Sequence, residues 1–173
     1  MQQTKRTFPL ICGGMIREAS KSHPVFNKYS GEEIGRVGLA TRDEINECFE
    51  LANNSVEKMA NTRPHERAEI LKHLHHLMSS NSKELAEIIT AEAGKPIVGS
   101  EVEVTRALAT LSDGIKEAES ATPDGVWREF TSAAGRYSLL SRRFPIGVAS
   151  FVTPFNFPLN LAVCFLFGFY GYI

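Results

Sequence analysis

The chain has 173 residues, the length of one ordinary domain, and its 43% hydrophobic and 23% charged residues are those of a soluble globular protein. A formal net charge of -1, with no long Lys/Arg run, excludes the basic face that nucleic-acid binding demands. Cys12, Cys48 and Cys164 are far apart with no C-x-x-C between them, which excludes a zinc or thioredoxin-type motif; their odd number argues against a disulfide framework and points to a reducing, cytoplasmic setting.

The N-terminal stretch MQQTKRTFPLICGG has too short an apolar run for a secretory signal. Gly13-Gly14 between Leu10-Ile11-Cys12 and Met15-Ile16 predicts a two-residue hairpin, since both glycines can take positive φ. A second hairpin is expected from Val25 to Tyr29 and Glu33 to Leu39, turned at Ser30-Gly31. Thr41-Arg42-Asp43-Glu44 then opens a helix through a capping box, with Ile45, Cys48, Ala52, Val56 and Met59 at helical spacing. The next helix starts near Thr62, with Pro64 in its first turn and a stripe of Ala68, Leu71, Leu74 and Met78. Asn81 and Glu84 mark a third, carrying Leu85, Ile88 and Ile89 and stopping at Gly94 and Pro96. A fourth runs from about Val98 to Ala118, with Val104, Leu108, Leu111 and Ile115 on one face.

Pro123 to Val126 reads as a turn, and Arg136 to Arg143 has strand character at its centre. Ile146 to Val152 is apolar on both faces, as a buried parallel strand would be. From Phe144 to Ile173 no residue is charged, but Pro145, Pro154 and Pro158 interrupt the run. The unbroken part, Leu161 to Ile173, is shorter than the about 20 residues of a membrane span, so an anchor is not expected.

The stretch Thr153-Pro154-Phe155-Asn156-Phe157-Pro158-Leu159-Asn160 follows that apolar run. An asparagine amide is a neutral N–H donor. Fixed between two prolines at the carboxyl end of a parallel strand, Asn156 would stand where α/β folds place ligands, ready to donate to an oxygen that gains charge in a transition state. The alternative is an asparagine that satisfies local backbone groups in a proline-rich turn.

Arg142-Arg143-Phe144-Pro145-Ile146-Gly147-Val148, followed by Thr153-Pro154-Phe155-Asn156-Phe157-Pro158-Leu159, closely resembles the NAD(P)-dependent aldehyde dehydrogenase superfamily. Asn27 to Val37 resembles the family's early hairpin, Arg67-Ala68-Glu69-Ile70-Leu71 its second helix, and Glu92-Ala93-Gly94-Lys95-Pro96 a helix end. The likeness runs in order from about residue 8 to Val163. It implies the N-terminal part of that α/β fold, incomplete: small antiparallel hairpins, helices and the first strand of a Rossmann-like parallel sheet. It implies an NAD(P)-binding unit over residues 1–163, an oligomerisation-type strand at about 136–143, and a divergent aromatic tail over 164–173.

In the chemistry this resemblance implies, a cysteine thiolate attacks an aldehyde, hydride passes to NAD or NADP, and glutamate-activated water releases the carboxylic acid. Asn156 matches the oxyanion-stabilising asparagine. Thr153, Pro154 and Phe155, with Asn156, match positions lining the dinucleotide cleft. The family's nucleophilic cysteine, general-base glutamate and cofactor-gripping lysine lie downstream of this motif, so the chain is expected to be an inactive N-terminal portion. The alternative is a non-catalytic partner of full-length subunits. Cys164 does not match the nucleophile, because its neighbours differ and it falls too early; it reads as a free cysteine among apolar residues.

Other candidates carry less. His73 and His76 share a helix face but lack a third ligand at suitable spacing, so no metal is expected. Lys95 reads as a cation at a helix C-terminus, and Arg142-Arg143 as solvated charge. The aromatics from Phe165 to Tyr172 lack the basic groove of a nucleic-acid platform and read as core or as an aggregation-prone edge.

Overall fold

The computed structural model describes residues 6–120, 124–128, 138–142 and 146–171. Three small sheets and six helices make up the described chain. Strands β2 (Leu10–Cys12) and β3 (Met15–Arg17) form the hairpin expected at Gly13-Gly14, whose φ angles are 59° and 78°. Strands β4 (Lys21–Phe26) and β5 (Glu33–Leu39) form the second, with Gly31 at φ 73°. Asn27 to Tyr29 belongs to the turn instead, because the Asn27 side chain accepts from the Tyr29 and Ser30 amides at 2.9 and 3.1 Å. Strand β1 (Arg6–Phe8) adds to β5 in parallel, a long-range pairing with no local sequence signal.

Helix α1 (Arg42–Asn54) starts on the expected capping box: the Glu44 amide donates to Thr41 Oγ1, and the Thr41 amide to the Glu44 carboxylate at 2.7 Å. The helical pattern continues past Asn54, but the chain breaks at Ser55, whose hydroxyl donates back to the Leu51 carbonyl, and resumes as α2 (Val56–Ala60). Pro64 opens α3 (Pro64–Ser80), where its missing N–H leaves no bond unmade. Helix α4 (Ser82–Ala93) ends on Gly94 at φ 71°. Helix α5 (Ile97–Ser120) is the central rod, and α6 (Pro158–Gly171) packs against it.

The core is a helical layer in which Ala68, Leu71 and Met78 of α3 meet Ala107, Leu111 and Ala118 of α5 and Val163 of α6. Leu108 and Ile115 pack at its edge, together with Leu74, Leu85 and Leu159. Ala86 and Ile89 of α4 pack on Val104, whereas Ile88 turns outward. No helix among the described residues is long and apolar enough to cross a membrane.

Three expectations are corrected. Residues 146–152 form no strand, and Ile146 and Val152 are 87% and 91% exposed; a parallel strand needs neighbours to take its backbone bonds, and none pairs with it among the described residues. Asp124 to Val126 lies in strand β6 (Asp124–Arg128), which pairs antiparallel with β7 (Ser138–Arg142), rather than in a turn. Cys12 and Cys48 are a disulfide pair with Cα atoms 5.6 Å apart, because the first hairpin packs over α1. That pairing removes the cysteine-count argument for a reducing compartment; Cys164 is free. The aromatic tail is helical as far as Gly171, continuous with the motif before it. Pro123, Arg136, Tyr137 and the 143–145 part of the family-like stretch lie outside the described residues.

Candidate functional site

The segment carrying Asn156 leaves the extended run 146–152 and enters α6. Phe157 is the last residue before the helix: its carbonyl accepts from the Leu161 amide at 3.0 Å. Pro158 follows at the first helical position, where its fixed φ suits the helix. Thr153, Pro154, Phe155 and Asn156 are all exposed, Phe155 at 90%. The Asn156 side chain makes no hydrogen bond to any described residue, so it does not serve the local turn as a capping asparagine would.

Support for this loop comes from α5. Glu103 is fully buried, and both of its oxygens are used. One accepts from the amides of Leu159 and Asn160 at 2.9 and 3.3 Å, two of the donors that the first turn of α6 leaves without helical partners. The other lies 2.5 Å from the Lys95 ammonium. Lys95 also sits 4.2 Å from the centre of the Phe157 ring, and the Arg106 guanidinium 5.9 Å from it. The Thr110 hydroxyl donates to the Asn160 side-chain oxygen at 3.1 Å. Deeper in α6, Phe165 stacks on Phe151 with centroids 4.8 Å apart, tying the incoming segment to the outgoing helix.

The four residues picked from the sequence therefore stand together on one exposed loop. Of its anchors, Lys95 belongs to the Glu92 to Pro96 stretch already singled out, whereas Glu103, Arg106 and Thr110 carry no motif of their own. Lys95 follows the Gly94 cap of α4, where a helix-end cation is expected, and is also paired with Glu103. A signal was present: Ser100, Glu103, Val104, Ala107 and Leu111 share the buried face of α5, so Glu103 is a carboxylate in register with an apolar stripe. Such a residue must find a partner.

A cleft of about 380 Å³ opens elsewhere, between the first hairpin, α1 and residues 148–151. It is lined by Leu10, Cys12, Ile45, Cys48, Phe49 and Phe151 among others, and none of Thr153 to Asn156 borders it. Arg17 and Glu44 are the charged residues on its lining.

Residues 15–167 match the model of the aldehyde dehydrogenase family, a match that runs past Val163 into the tail. The 3-sulfolactaldehyde dehydrogenase of Priestia aryabhattai is 31% identical over 163 residues, covering 94% of this chain and 34% of the relative. Among solved structures, aldehyde dehydrogenase 21 of Physcomitrella patens, in complex with the reaction product succinate, superposes with a TM-score of 0.82 at 26% identity, over 93% of this chain and 34% of that one. Glyceraldehyde-3-phosphate dehydrogenase GapN of Methanocaldococcus jannaschii, complexed with NADP, gives a TM-score of 0.77 at 29% identity, over 88% of this chain and 32% of that one. The chain thus spans about a third of the length of the relatives it matches.

Proposed function

Because the chain belongs to the aldehyde dehydrogenase family, we propose that it supplies the oxyanion donor and the first wall of the dinucleotide cleft of an NAD(P)-dependent aldehyde oxidation. In this reading residues 1–163 act as one unit. Asn156 donates its side-chain N–H to the oxygen of the aldehyde as that oxygen becomes anionic. Thr153, Pro154 and Phe155 present a rigid surface to NAD or NADP. The dinucleotide, when bound, accepts hydride; this chain's own residues orient and bind.

The observation that carries the reading is the state of Asn156: exposed, on a loop anchored at its helical end, with its amide unspent on any described residue. The anchored helical end restricts the backbone that carries the amide, and an amide lowers a barrier to the extent that it stands in place before charge develops. None of the three cysteines fits the nucleophile: Cys12 and Cys48 are paired, and Cys164 sits inside α6. Without an activated nucleophile covalent catalysis is forfeited. In this reading none of these cysteines is the nucleophile, and turnover is not expected of this chain alone.

The test is reconstitution. The chain is co-expressed with the portion of the Priestia relative that lies beyond the matched third, and aldehyde-dependent reduction of NAD or NADP is followed by absorbance. Turnover by the pair, and by neither part alone, is expected; turnover by this chain alone would contradict the reading.

A second reading, docking on complete subunits, has one observation in its favour. The β6–β7 ribbon is two-stranded, and among the described residues both outer edges are open. Such a ribbon is marginal unless another strand or chain adds to it. Co-purification with a full-length family member discriminates the two.

A further inference from the structure

We propose that Glu103 is the positioning residue of the 153–157 loop, acting with Lys95 through the first turn of α6. A carboxylate with no solvent exposure is strongly unfavourable unless it is paired and hydrogen-bonded. Glu103 meets that demand only when α6 begins where it does: Oε1 needs the Leu159 and Asn160 amides, and Oε2 needs Lys95. Moving α6 by a fraction of a turn would take two of its hydrogen bonds from the buried carboxylate. The negative group also lies at the positive end of the α6 dipole, which favours the same placement.

The constraint reaches Asn156 by a short path. Lys95, fixed by Glu103, lies on the face of the Phe157 ring, and Phe157 is covalently next to Asn156. Arg106 also approaches the same ring, and Thr110 holds Asn160. All four groups belong to α5 or to the connection leading into it, and α5 is clamped by the core. The Asn156 side chain makes no hydrogen bond to a described residue, so the hydrogen-bonded and ring contacts nearest to it are those on its helical side. The catalytic meaning of that placement rests on the reading of Asn156 given above; the placement itself can be measured without dinucleotide, aldehyde or turnover.

The experiment uses the isotope-labelled 173-residue chain and amide NMR. Glu103→Gln keeps the shape and an accepting oxygen but removes the charge. Lys95→Met removes the cation and leaves the carboxylate. Glu101→Gln, on the exposed face of the same helix, is the control. A neutral acceptor holds amides less strongly than a carboxylate, so exchange at Leu159 and Asn160 should quicken by about 10-fold in Glu103→Gln. In both Glu103→Gln and Lys95→Met the Asn156 side-chain amide signals should shift and broaden while α3 core signals stay in place. Glu101→Gln should change neither. Unaltered Leu159 and Asn160 exchange with unaltered Asn156 signals would overturn the proposal. So would loss of the Asn156 signals only together with the whole core in both variants, which would make Glu103 a core residue and nothing more.

Discussion

Arg17 grips Glu47 with both arms of its guanidinium, at 2.6 and 2.8 Å, and so joins the first hairpin to α1. The hydrogen bond from Arg17, helped by its positive charge, holds the Glu47 carboxyl below its ordinary value of 4.5. Glu44 is also lowered, first by the Thr41 backbone amide and then by the Thr41 hydroxyl. A carboxyl whose folded pKa is depressed stabilises the fold above its unfolded pKa and ceases to do so as pH falls through the folded value. The hairpin–α1 contact should therefore loosen at acid pH, below the ordinary carboxylate range. Hydrogen exchange of the β2 and β3 amides against pH measures it. Glu47→Gln should lower β2 and β3 protection at neutral pH towards its acid value and thereby flatten the acid limb, by a small amount because the pair is partly exposed; an unchanged acid limb would count against the pair.

Pairing of Cys12 with Cys48 makes a thiol count informative. The native chain should show one reactive thiol, Cys164, and three after reduction. The closed loop spans a sequence separation of 36, for which chain-entropy arguments give about 3–4 kcal/mol of stabilisation. Reduction, or Cys48→Ser, should lower the melting temperature accordingly. Three reactive thiols before any reductant is added would contradict the pairing.

Gly94 ends α4 in the left-handed region at φ 71°, and a Cβ there would come 3.1 Å from the Lys28 Cβ. Gly94→Ala should destabilise by about 1–2 kcal/mol in urea unfolding, from backbone strain and crowding together. A stability equal to the parent would show that the contact between the end of α4 and the β4–β5 turn yields freely.

Leu111 is fully buried where α3, α5 and α6 meet. Leu111→Ala should cost about 2–5 kcal/mol, the range for a truncated core leucine. Circular dichroism in urea provides the midpoint. A loss well under that range would mean that α6 is not held in this core.

What could be read from the sequence divides by distance along the chain. Gly13-Gly14, the Thr41–Glu44 box, Pro64 and Gly94 are local devices, each satisfied by backbone within a few residues, and each appears where its spacing puts it. Val104 and Leu111 fell on the buried face because helical period alone places them there. The pairing of Cys12 with Cys48, the addition of β1 to β5 and the reach of Glu103 to Leu159 depend on how elements dock, and no local pattern states it. The run from Ile146 to Val152 was misread for a related reason: an apolar run is compatible with a buried strand, but becomes one only beside other strands. At the candidate site, the motif around Asn156 was legible from its residues, whereas the α5 groups that hold it were not.

The central claim is that Asn156 is the oxyanion donor, and its most direct test is kcat in the reconstituted pair with and without the side-chain amide. Asn156→Ala should lower kcat by about 100- to 1000-fold, as loss of one such donor does. The KM for NAD or NADP should move little, because the loss falls on the transition state. Equal kcat for Asn156→Ala and the parent pair would contradict the claim.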